Sequence, residues 1–391
     1  MEGDFIKIND WLLPLSWIYG AGVRLRNQMF EMGMLKSRSF DIPVISVGNI
    51  TVGGSGKTPH VEYLINLLRD KVKVAVLSRG YKRKSKGYML ATADTPMSDI
   101  GDEPYQMKKK FADIYVAVDK YRCHGIDQLT TNEETSDTDV ILLDDAYQHR
   151  YVKPGVNILL VDYHRLIMYD KLLPAGRLRE PQKGKARADI VIVSKCPADL
   201  KPMEFRVITK AMNLFPYQKL YFTTLKYGSL RPIYGGEDRK LDTLTGDTSI
   251  LLLTGIASPQ QMIVDLKPYT ERITPLTFPD HHQYTDADID RINAEFEAMK
   301  GNDKMIVTTE KDNARLCGME GLSDEVKKNI YVLPVEVGFM LDQEEDFNEN
   351  IIGYVRKNSR NSILAKAKDD NKSGNSDNSG NRTRTISFRN N

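Results

Sequence analysis

Cysteine is scarce in this chain, and the cysteines it has are far apart. Cys123, Cys196 and Cys317 are the only three in 391 residues, and no two of them form a Cys-x-x-Cys pair. An odd and scattered set excludes a disulfide framework and lacks the spacing of a structural zinc site. The sequence therefore indicates a protein of a reducing compartment that is stabilised by its hydrophobic core.

Long apolar runs are also lacking, and no stretch reaches the ~20 apolar residues that a membrane-spanning helix needs. Both tryptophans of the chain lie in the segment Trp11 to Tyr19. Arg24 and Arg26 follow, and no acidic residue stands between positions 10 and 31. Such a segment is typical of an anchor at a membrane surface, where aromatic rings and cations are favoured. It is equally consistent with an amphipathic helix that packs on its own domain.

A strong excess of either charge is absent as well. Lys and Arg number 55 against 53 Asp and Glu, which gives a net charge of +2. No basic groove studded with aromatic residues is visible, so we expect no nucleic acid among the partners. Nothing in the sequence indicates an obligate oligomer, and we expect a monomer.

The most informative motif present is VGNITVGGSGKT, which runs from Val47 to Thr58. An apolar stretch predicts a strand before it, and apolar residues with helical spacing predict a helix after it. Strand, glycine-rich turn, Gly-Lys-Thr and helix form the order of a P-loop, which binds nucleotide phosphates. Lys57 would reach the β- and γ-phosphates, and Thr58 would offer a hydroxyl to Mg²⁺. The predicted ATP-binding residues are Thr51, Val52, Gly53, Gly54, Ser55, Gly56, Lys57 and Thr58.

One departure from the strict P-loop pattern leaves a second interpretation open. The pattern has a glycine five residues before Gly56, and this chain has Thr51 there. A glycine-rich turn that binds no ligand would have the same sequence pattern.

Apolar β-branched runs alternate with helical patterns over most of the chain, which predicts an α/β fold with a parallel sheet covered by helices on both faces. Residues 228–247 interrupt this alternation with glycine, aspartate and other charged residues, and predict a linker or small hairpin. We therefore expect an N-terminal membrane-interface region, a P-loop kinase domain, the linker, a smaller α/β domain and a disordered tail. Their predicted bounds are 1–35, 36–227, 228–247, 248–362 and 363–391.

Three acidic or histidine-containing motifs could carry chemistry. In ILLDDAYQHR, Asp144 and Asp145 end a predicted strand, as do carboxylates that hold Mg²⁺ in P-loop proteins. In GDEP, Asp102 and Glu103 are candidates for a catalytic base or a metal ligand, although acids in that position also favour the start of a helix. In FPDHHQY, His281 could be an acid/base residue, but a histidine pair in a loop is as often structural.

Two basic stretches follow predicted strands, so both could face the ligand edge of the sheet. One begins at Arg79, and the other includes Arg177 and Arg179. Such residues suit a phosphorylated substrate or an anionic membrane, and they are also common on solvated surfaces.

Seven motifs in order, TVGGSGKTP, LSRGY, GDEP, LDDAYQHR, LPAGRLREP, FPDHHQY and TTEKD, resemble those of the tetraacyldisaccharide 4′-kinases, the lipid A 4′-kinases of Gram-negative bacteria. The resemblance extends from about Trp11 to Val337. It includes the loop sequence TVGGxGKTP, so Thr51 fits the family. It implies two α/β/α domains, the smaller joined by a short two-stranded linker, with the active site in the cleft between them.

The resemblance also implies an activity and its partners. These kinases transfer the γ-phosphate of ATP to the 4′-hydroxyl of an acylated glucosamine disaccharide 1-phosphate. The implied location is the cytoplasmic face of the inner membrane, where the N-terminal helix rests in the lipid surface. ATP and Mg²⁺ are the implied cofactors.

Residue roles follow from the resemblance at matching positions only. Asp102 resembles the base that takes the hydroxyl proton, and His281 its orienting partner. Since these two lie in different predicted domains, we hypothesise that domain closure on ATP brings them together. Lys57 resembles the catalytic lysine. The implied Mg²⁺ shell is Thr58, Glu103 and Asp144 or Asp145, and the implied substrate side is Gln148, Arg179, Glu180 and Arg79.

Two other classes of function are weaker alternatives. A switch-type P-loop ATPase often carries a lysine at the position that Val52 occupies here. A soluble small-molecule kinase would not need the aromatic and basic N-terminal segment.

Overall fold

The computed structural model describes residues 8–256, 259–280, 282–301, 303–316 and 319–359. His281 and the predicted tail at 363–391 lie outside these ranges. Within them the strands are β1 Val44–Gly48, β2 Val74–Ser78, β3 Met89–Leu90, β4 Tyr115–Val118, β5 Val140–Asp144, β6 Val156–Asp162, β7 Ile190–Ser194, β8 Lys219–Tyr227, β9 Arg231–Pro232, β10 Ser249–Thr254, β11 Ile273–Thr277, β12 Lys304–Thr309, β13 Ile330–Leu333 and β14 Val335–Phe339.

Helices connect most of the strands. They are α1 Leu13–Glu31, α2 Lys57–Leu68, α3 Met97–Ile100, α4 Asp102–Lys110, α5 Arg122–Thr131, α6 Pro202–Met212, α7 Gln260–Leu266, α8 Asp286–Ala298, α9 Glu310–Leu316, α10 Asp324–Asn329 and α11 Glu344–Asn358.

The larger sheet contains nine strands of the described ranges in the order β14-β8-β7-β6-β1-β5-β2-β4-β3. The two outermost strands, β3 and β14, pair antiparallel with their neighbours, and the others are parallel. Strands β1, β2, β5 and β7 are buried at every residue, because helices cover both faces of the sheet. The predicted α/β class is therefore confirmed.

Successive residues of β1 belong to different hydrophobic clusters. Ile45 and Val47 pack with α2, whereas Val44 packs with the cluster that includes residues of α5. Val47 lies opposite Asp144 in the parallel register with β5. The P-loop and the acidic strand end are therefore neighbours at one edge of the sheet.

The smaller sheet has the order β11-β10-β12-β13-β9, counted over the described residues. Its first four strands are parallel, and the short β9 pairs antiparallel with β13. Hydrophobic clusters lie on both faces of this sheet. It forms the core of the second α/β unit.

The two units are joined by chain segments that lie side by side. Gly228 donates its backbone N–H to the carbonyl of Pro334, with a distance of 3.1 Å between nitrogen and oxygen. Leu230 and Arg239 then form an antiparallel bridge, so part of the predicted linker at 228–247 is a small hairpin.

The predicted C-terminal unit at 248–362 differs from the arrangement in the structure after β13. Strand β14 leaves the smaller sheet and pairs with β8 in the larger one. Helix α11 then packs Phe347, Ile351 and Val355 into the core that α2 covers. The two strands β13 and β14, separated by Pro334 alone, therefore belong to different sheets. The sequence did not reveal that the chain joins the larger sheet again after β13, because strands of both units have the same apolar pattern.

Candidate active site

The P-loop follows β1 and is held in shape by contacts outside it. Gly56 caps α2 with a φ of 77°, a left-handed conformation that favours glycine. The amide of Asn49 donates to Ser55 Oγ at 2.8 Å. Thr51 forms an antiparallel bridge with Leu178. Because the backbone is paired in this way at Thr51, the structure shows no need for glycine at that position.

Lys57, the first residue of α2, points towards the acidic end of β5. Its Nζ lies 3.6 Å from Asp145 Oδ1, and Arg179 Nη1 lies 3.5 Å from the other carboxylate oxygen. Burial would raise the pKa of Asp145, but Lys57 and Arg179 outweigh it and lower that pKa below its usual value. Two cations therefore converge on one carboxylate beside the P-loop.

Asp144 is the last residue of β5 and is buried. Ser78 Oγ donates to its Oδ2 at 3.3 Å, and its carbonyl accepts from the buried Arg122. Burial, reinforced by the negative charges of Glu103 and Asp145, raises the pKa of Asp144 well above its usual value. The predicted metal ligands Glu103, Asp144 and Asp145 thus act on one another electrostatically.

A divalent cation fits this acidic cluster. Among the described residues, Oδ1 of Asp144 is buried without a hydrogen-bond donor, and the buried Oδ1 of Asp145 faces the Lys57 ammonium at 3.6 Å, beyond hydrogen-bond distance. A cation there would satisfy both oxygens and offset the repulsion that raises the pKa of Asp144. Within the same part of the chain, no group of three or more His, Cys, Asp or Glu side chains could hold a metal alone. Mg²⁺ is commonly held by one or two carboxylates together with substrate phosphates, and Asp144 and Asp145 are carboxylates of that kind.

The GDEP motif begins helix α4. Gly101 has a φ of 90°, and a Cβ there would lie 2.9 Å from the carbonyl oxygen of Tyr81. Glycine is therefore required for the turn that presents Asp102. Gly101 is the cap, and Asp102 and Glu103 lie in the first turn, where acids also favour the start of a helix as the sequence indicated.

Side chains of the second unit meet the start of α4. The guanidinium of Arg315 donates to Asp102 Oδ2 from Nη2 at 2.6 Å and from Nε at 2.9 Å. Lys311 Nζ lies 3.6 Å from Glu103 Oε1 and 3.4 Å from Asp280 Oδ1. Asp102 and Glu103 therefore lie at the contact between the two units.

The FPDHHQY motif is described except for His281. His282 Nε2 lies 2.9 Å from Asp288 Oδ2, and its ring stacks on Phe278. Asp288 also forms a capping box with Thr285 at the start of α8. His282 thus has the structural role that the sequence left open for this histidine pair.

Three of the four predicted substrate-side residues form one network. Gln148 Nε2 donates to Glu180 Oε1 at 3.1 Å, and Arg179 Nη1 donates to Gln148 Oε1 at 3.4 Å. Gln148 also donates to the carbonyl of Asn49 before the P-loop, at 2.6 Å. Arg79 is apart from this network and exposed, directly after β2.

One face of helix α1 packs against the larger unit, next to the network of Gln148, Arg179 and Glu180. Ser16 Oγ donates to the carbonyl of Leu172 at 3.0 Å, and Tyr19 OH donates to the carbonyl of Arg179 at 2.7 Å. The other face is open to solvent at Trp17, which is 72% exposed, and at Ile18, which is 71% exposed, and Trp11 in the turn before α1 is 93% exposed. The two interpretations of this segment are therefore compatible, since one face packs and the other remains available. Among the described helices, none is long and apolar enough to cross a bilayer.

A cavity of about 970 Å³ lies between α1 and the loop that contains the LREP motif. Apolar and basic side chains share its wall. They include Leu13, Trp17, Leu172 and Leu178, and Arg24, Lys171, Lys183 and Arg187. This mixture is suited to a ligand that has both acyl chains and negative charge.

Sequence reasoning missed two cations that contact these motifs. Arg315 follows Lys311 of the quoted TTEKD motif by one helical turn, and that spacing could have indicated it. Lys195, at the end of β7, donates to the P-loop carbonyl of Gly54 and lies 2.9 Å from Asp162 Oδ2. In the sequence, a lysine that follows a strand did not stand out as a candidate site residue, so Lys195 was not predicted.

Comparisons with known proteins agree with this arrangement. A family model described as Tetraacyldisaccharide-1-P 4′-kinase matches residues 8–356. The tetraacyldisaccharide 4′-kinase of Phocaeicola vulgatus is 61% identical over 363 residues, which cover 93% of this chain and 99% of that protein. The enzyme of the same name from Bacteroides thetaiotaomicron is 54% identical over 373 residues, covering 93% and 98%. The crystal structure of LpxK from Aquifex aeolicus in complex with ATP superposes with a TM-score of 0.67 at 30% identity, covering 89% of this chain and 99% of that one.

Proposed function

We propose a reaction for this chain, which belongs to the tetraacyldisaccharide-1-P 4′-kinase family. It transfers the γ-phosphate of ATP to the 4′-hydroxyl of an acylated glucosamine disaccharide 1-phosphate, a step of lipid A biosynthesis. The observation that supports this most is the convergence at one sheet edge of the P-loop lysine, the acids that end β5 and the GDEP helix start. In particular, Lys57 contacts Asp145, and Glu103 influences the charge of Asp144.

The P-loop would bind the triphosphate. Residues Thr51 to Thr58 wrap the phosphates with backbone N–H groups, and Lys57 neutralises the β- and γ-phosphate oxygens. Arg179 contacts Asp145, the carboxylate that also pairs with Lys57. Its guanidinium would therefore lie within reach of the same phosphates. Thr58, Glu103, Asp144 and Asp145 would hold Mg²⁺, which lowers the charge of the leaving phosphate when it is bound.

Asp102 would accept the proton of the sugar hydroxyl. As the 4′-oxygen forms its bond to the γ-phosphorus, the bond from that phosphorus to the bridging oxygen of ADP breaks, and the hydroxyl proton passes to a carboxylate oxygen of Asp102. His281 would orient this carboxylate, as the family resemblance implies. Gln148, Glu180 and Arg79 would line the acceptor side.

The lipid would arrive from a membrane surface. The exposed apolar face of α1 carries Trp17 and Ile18, the exposed Trp11 lies in the turn before it, and Arg24 lines the adjacent cavity. Aromatic rings favour the headgroup level, and cations favour anionic lipid. We therefore propose that α1 rests on the cytoplasmic face of the inner membrane and that the neighbouring cavity receives part of the glycolipid.

The test is the fate of the γ-phosphate. Purified protein is incubated with γ-labelled ATP, Mg²⁺ and the disaccharide lipid in detergent, beside a Lys57→Ala control. We expect label in the lipid with the wild-type protein and nearly none with the control. Label released only as free phosphate would instead support a switch-type ATPase, and label on a soluble acceptor in preference to the lipid would support a small-molecule kinase.

A further inference from the structure

Helices α4 and α9 face each other across the two units with matched charges. Three ion pairs connect them: Asp102 with Arg315, Glu103 with Lys311, and Lys110 with Glu310. Lys110 also pairs with the buried Glu62 of the P-loop helix α2. Helix α4 thus supplies the acids at one end of the contact and the base at the other, and α9 supplies the reverse, which fixes how α9 is aligned against α4.

The pair at the GDEP end is the most buried of the three. Arg315 is 4% exposed and Asp102 is 7% exposed. Both Nε and Nη2 of Arg315 donate to the same oxygen, Oδ2, at 2.9 and 2.6 Å. Two donors of one planar guanidinium hold Oδ2 at a defined place, which a single ammonium contact would do less strictly, and Oδ1 lies outside this contact.

Arg315 is itself held rigidly. Its Nη1 donates to the carbonyl of Gly255 at 2.8 Å and to Asp312 Oδ1 at 3.0 Å. Asp312 Oδ2 in turn accepts from the N–H of Gly255 at 2.9 Å and from Thr309 Oγ1 at 2.8 Å. A Cβ at Gly255 would lie 2.9 Å from Asp312 Oδ1, so the chain passes close to this pair. The guanidinium therefore has a fixed direction when it meets Asp102.

Stability alone is a weak reason for such a pair. Removing two charges from water costs about as much as their attraction returns, so apolar residues of similar size commonly serve stability as well. A cation beside a carboxylate does favour the ionised form, and only that form can accept a proton. The arrangement thus suits a carboxylate that must be both ionised and oriented.

We propose that Arg315 of the second unit is a positioning residue that orients the Asp102 carboxylate for proton transfer from the acceptor hydroxyl. This inference rests on the proposed role of Asp102 as the base. It gives the second unit a direct part in the chemistry, because the orientation of the base depends on the α4–α9 contact. Arg315 touches the base and not the reacting atoms.

The test is a double-mutant cycle between Arg315→Met and Asp102→Asn, measured in the full-length protein with detergent-dispersed lipid. We expect Arg315→Met to lower kcat by about 10²-fold, the cost of a base misplaced by about an ångström, with the KM for ATP changed by less than ~3-fold. In the Asp102→Asn background the same substitution should cost less than ~3-fold in kcat, because the group it positions is already lost.

Two further variants separate positioning from folding. Arg315→Lys keeps the charge without the two-donor geometry, so it should recover part of the kcat lost in Arg315→Met. Glu310→Gln removes an ion pair from the same α4–α9 contact without touching Asp102, and it should keep kcat within ~3-fold of wild type. Melting temperatures of all variants show whether each is folded. If Arg315→Met does not fold, the cycle is run with Arg315→Lys.

The outcomes distinguish this inference from the proposed function. Equal losses from the Arg315 substitution in both backgrounds would overturn the positioning role and leave Asp102 as the base. Wild-type kcat in a folded Arg315→Met would do the same. Wild-type kcat in Asp102→Asn would remove the base assignment and this inference with it.

Discussion

The exposed face of α1 yields a quantitative prediction for membrane binding. Trp11 and Ile18 are 93% and 71% exposed, and neither lines the cavity beside the helix. Replacing both by alanine removes roughly 200 Å² of apolar surface, which at ~25 cal/mol per Å² corresponds to about 5 kcal/mol for complete burial. If about half of that area enters the lipid interface, the loss is roughly 2.5 kcal/mol, or about 60-fold in the partition coefficient.

The assay is cosedimentation with anionic vesicles, using wild type, Trp11→Ala/Ile18→Ala and a matched control. The control is Met203→Ala/Val207→Ala on α6, where the side chains are 66% and 40% exposed. We expect the α1 variant to lose vesicle binding while it keeps its activity on detergent-dispersed lipid. The control should bind vesicles as wild type does. Vesicle binding by the α1 variant within ~2-fold of wild type would refute the reasoning, since apolar transfer would then contribute almost nothing.

Three other predictions concern the site and its scaffold. Lys57→Ala should abolish nearly all phosphoryl transfer and weaken ATP binding, which isothermal titration measures; unchanged affinity would contradict the P-loop role. Gly101→Ala should lower the free energy of unfolding by ~1–3 kcal/mol, because alanine at a φ of 90° also meets the carbonyl of Tyr81; a denaturant titration within error of wild type would count against this. Burial, with help from Arg122 and other cations, lowers the pKa of His149 to about 4, so its neutral form stabilises the fold above its ordinary pKa and that contribution is lost as pH falls from about 6.5 towards 4. The melting temperature of His149→Gln should therefore fall less than that of wild type between pH 7 and 5, and parallel curves would contradict the shift.

Local patterns were enough to predict the P-loop and its surroundings. The strand, glycine turn and helix around Lys57 are contiguous in sequence, so spacing alone carried the information. The position of Asp144 beside the P-loop was expected because carboxylates that hold Mg²⁺ in P-loop proteins also end a strand. The register between Val47 and Asp144 is consistent with that expectation.

Partners that are distant in sequence could not be predicted in this way. The apolar pattern of Val335–Phe339 fits a strand of either sheet, and only tertiary packing selects β8 as its neighbour. Arg315 and Asp102 are 213 residues apart, and nothing local to either indicates the other. The bridge between Thr51 and Leu178 likewise joins residues that are distant in sequence.

The central claim is that Asp102 takes the proton while the P-loop holds ATP, and a rapid-quench single turnover tests it most directly. Wild type and Asp102→Asn are each saturated with γ-labelled ATP and Mg²⁺, mixed with the disaccharide lipid, and quenched over time to count labelled lipid. We expect ATP affinity within ~3-fold of wild type and a transfer step slower by ~10²- to 10⁴-fold in Asp102→Asn. A labelled lipid that forms at the wild-type rate in Asp102→Asn would contradict it.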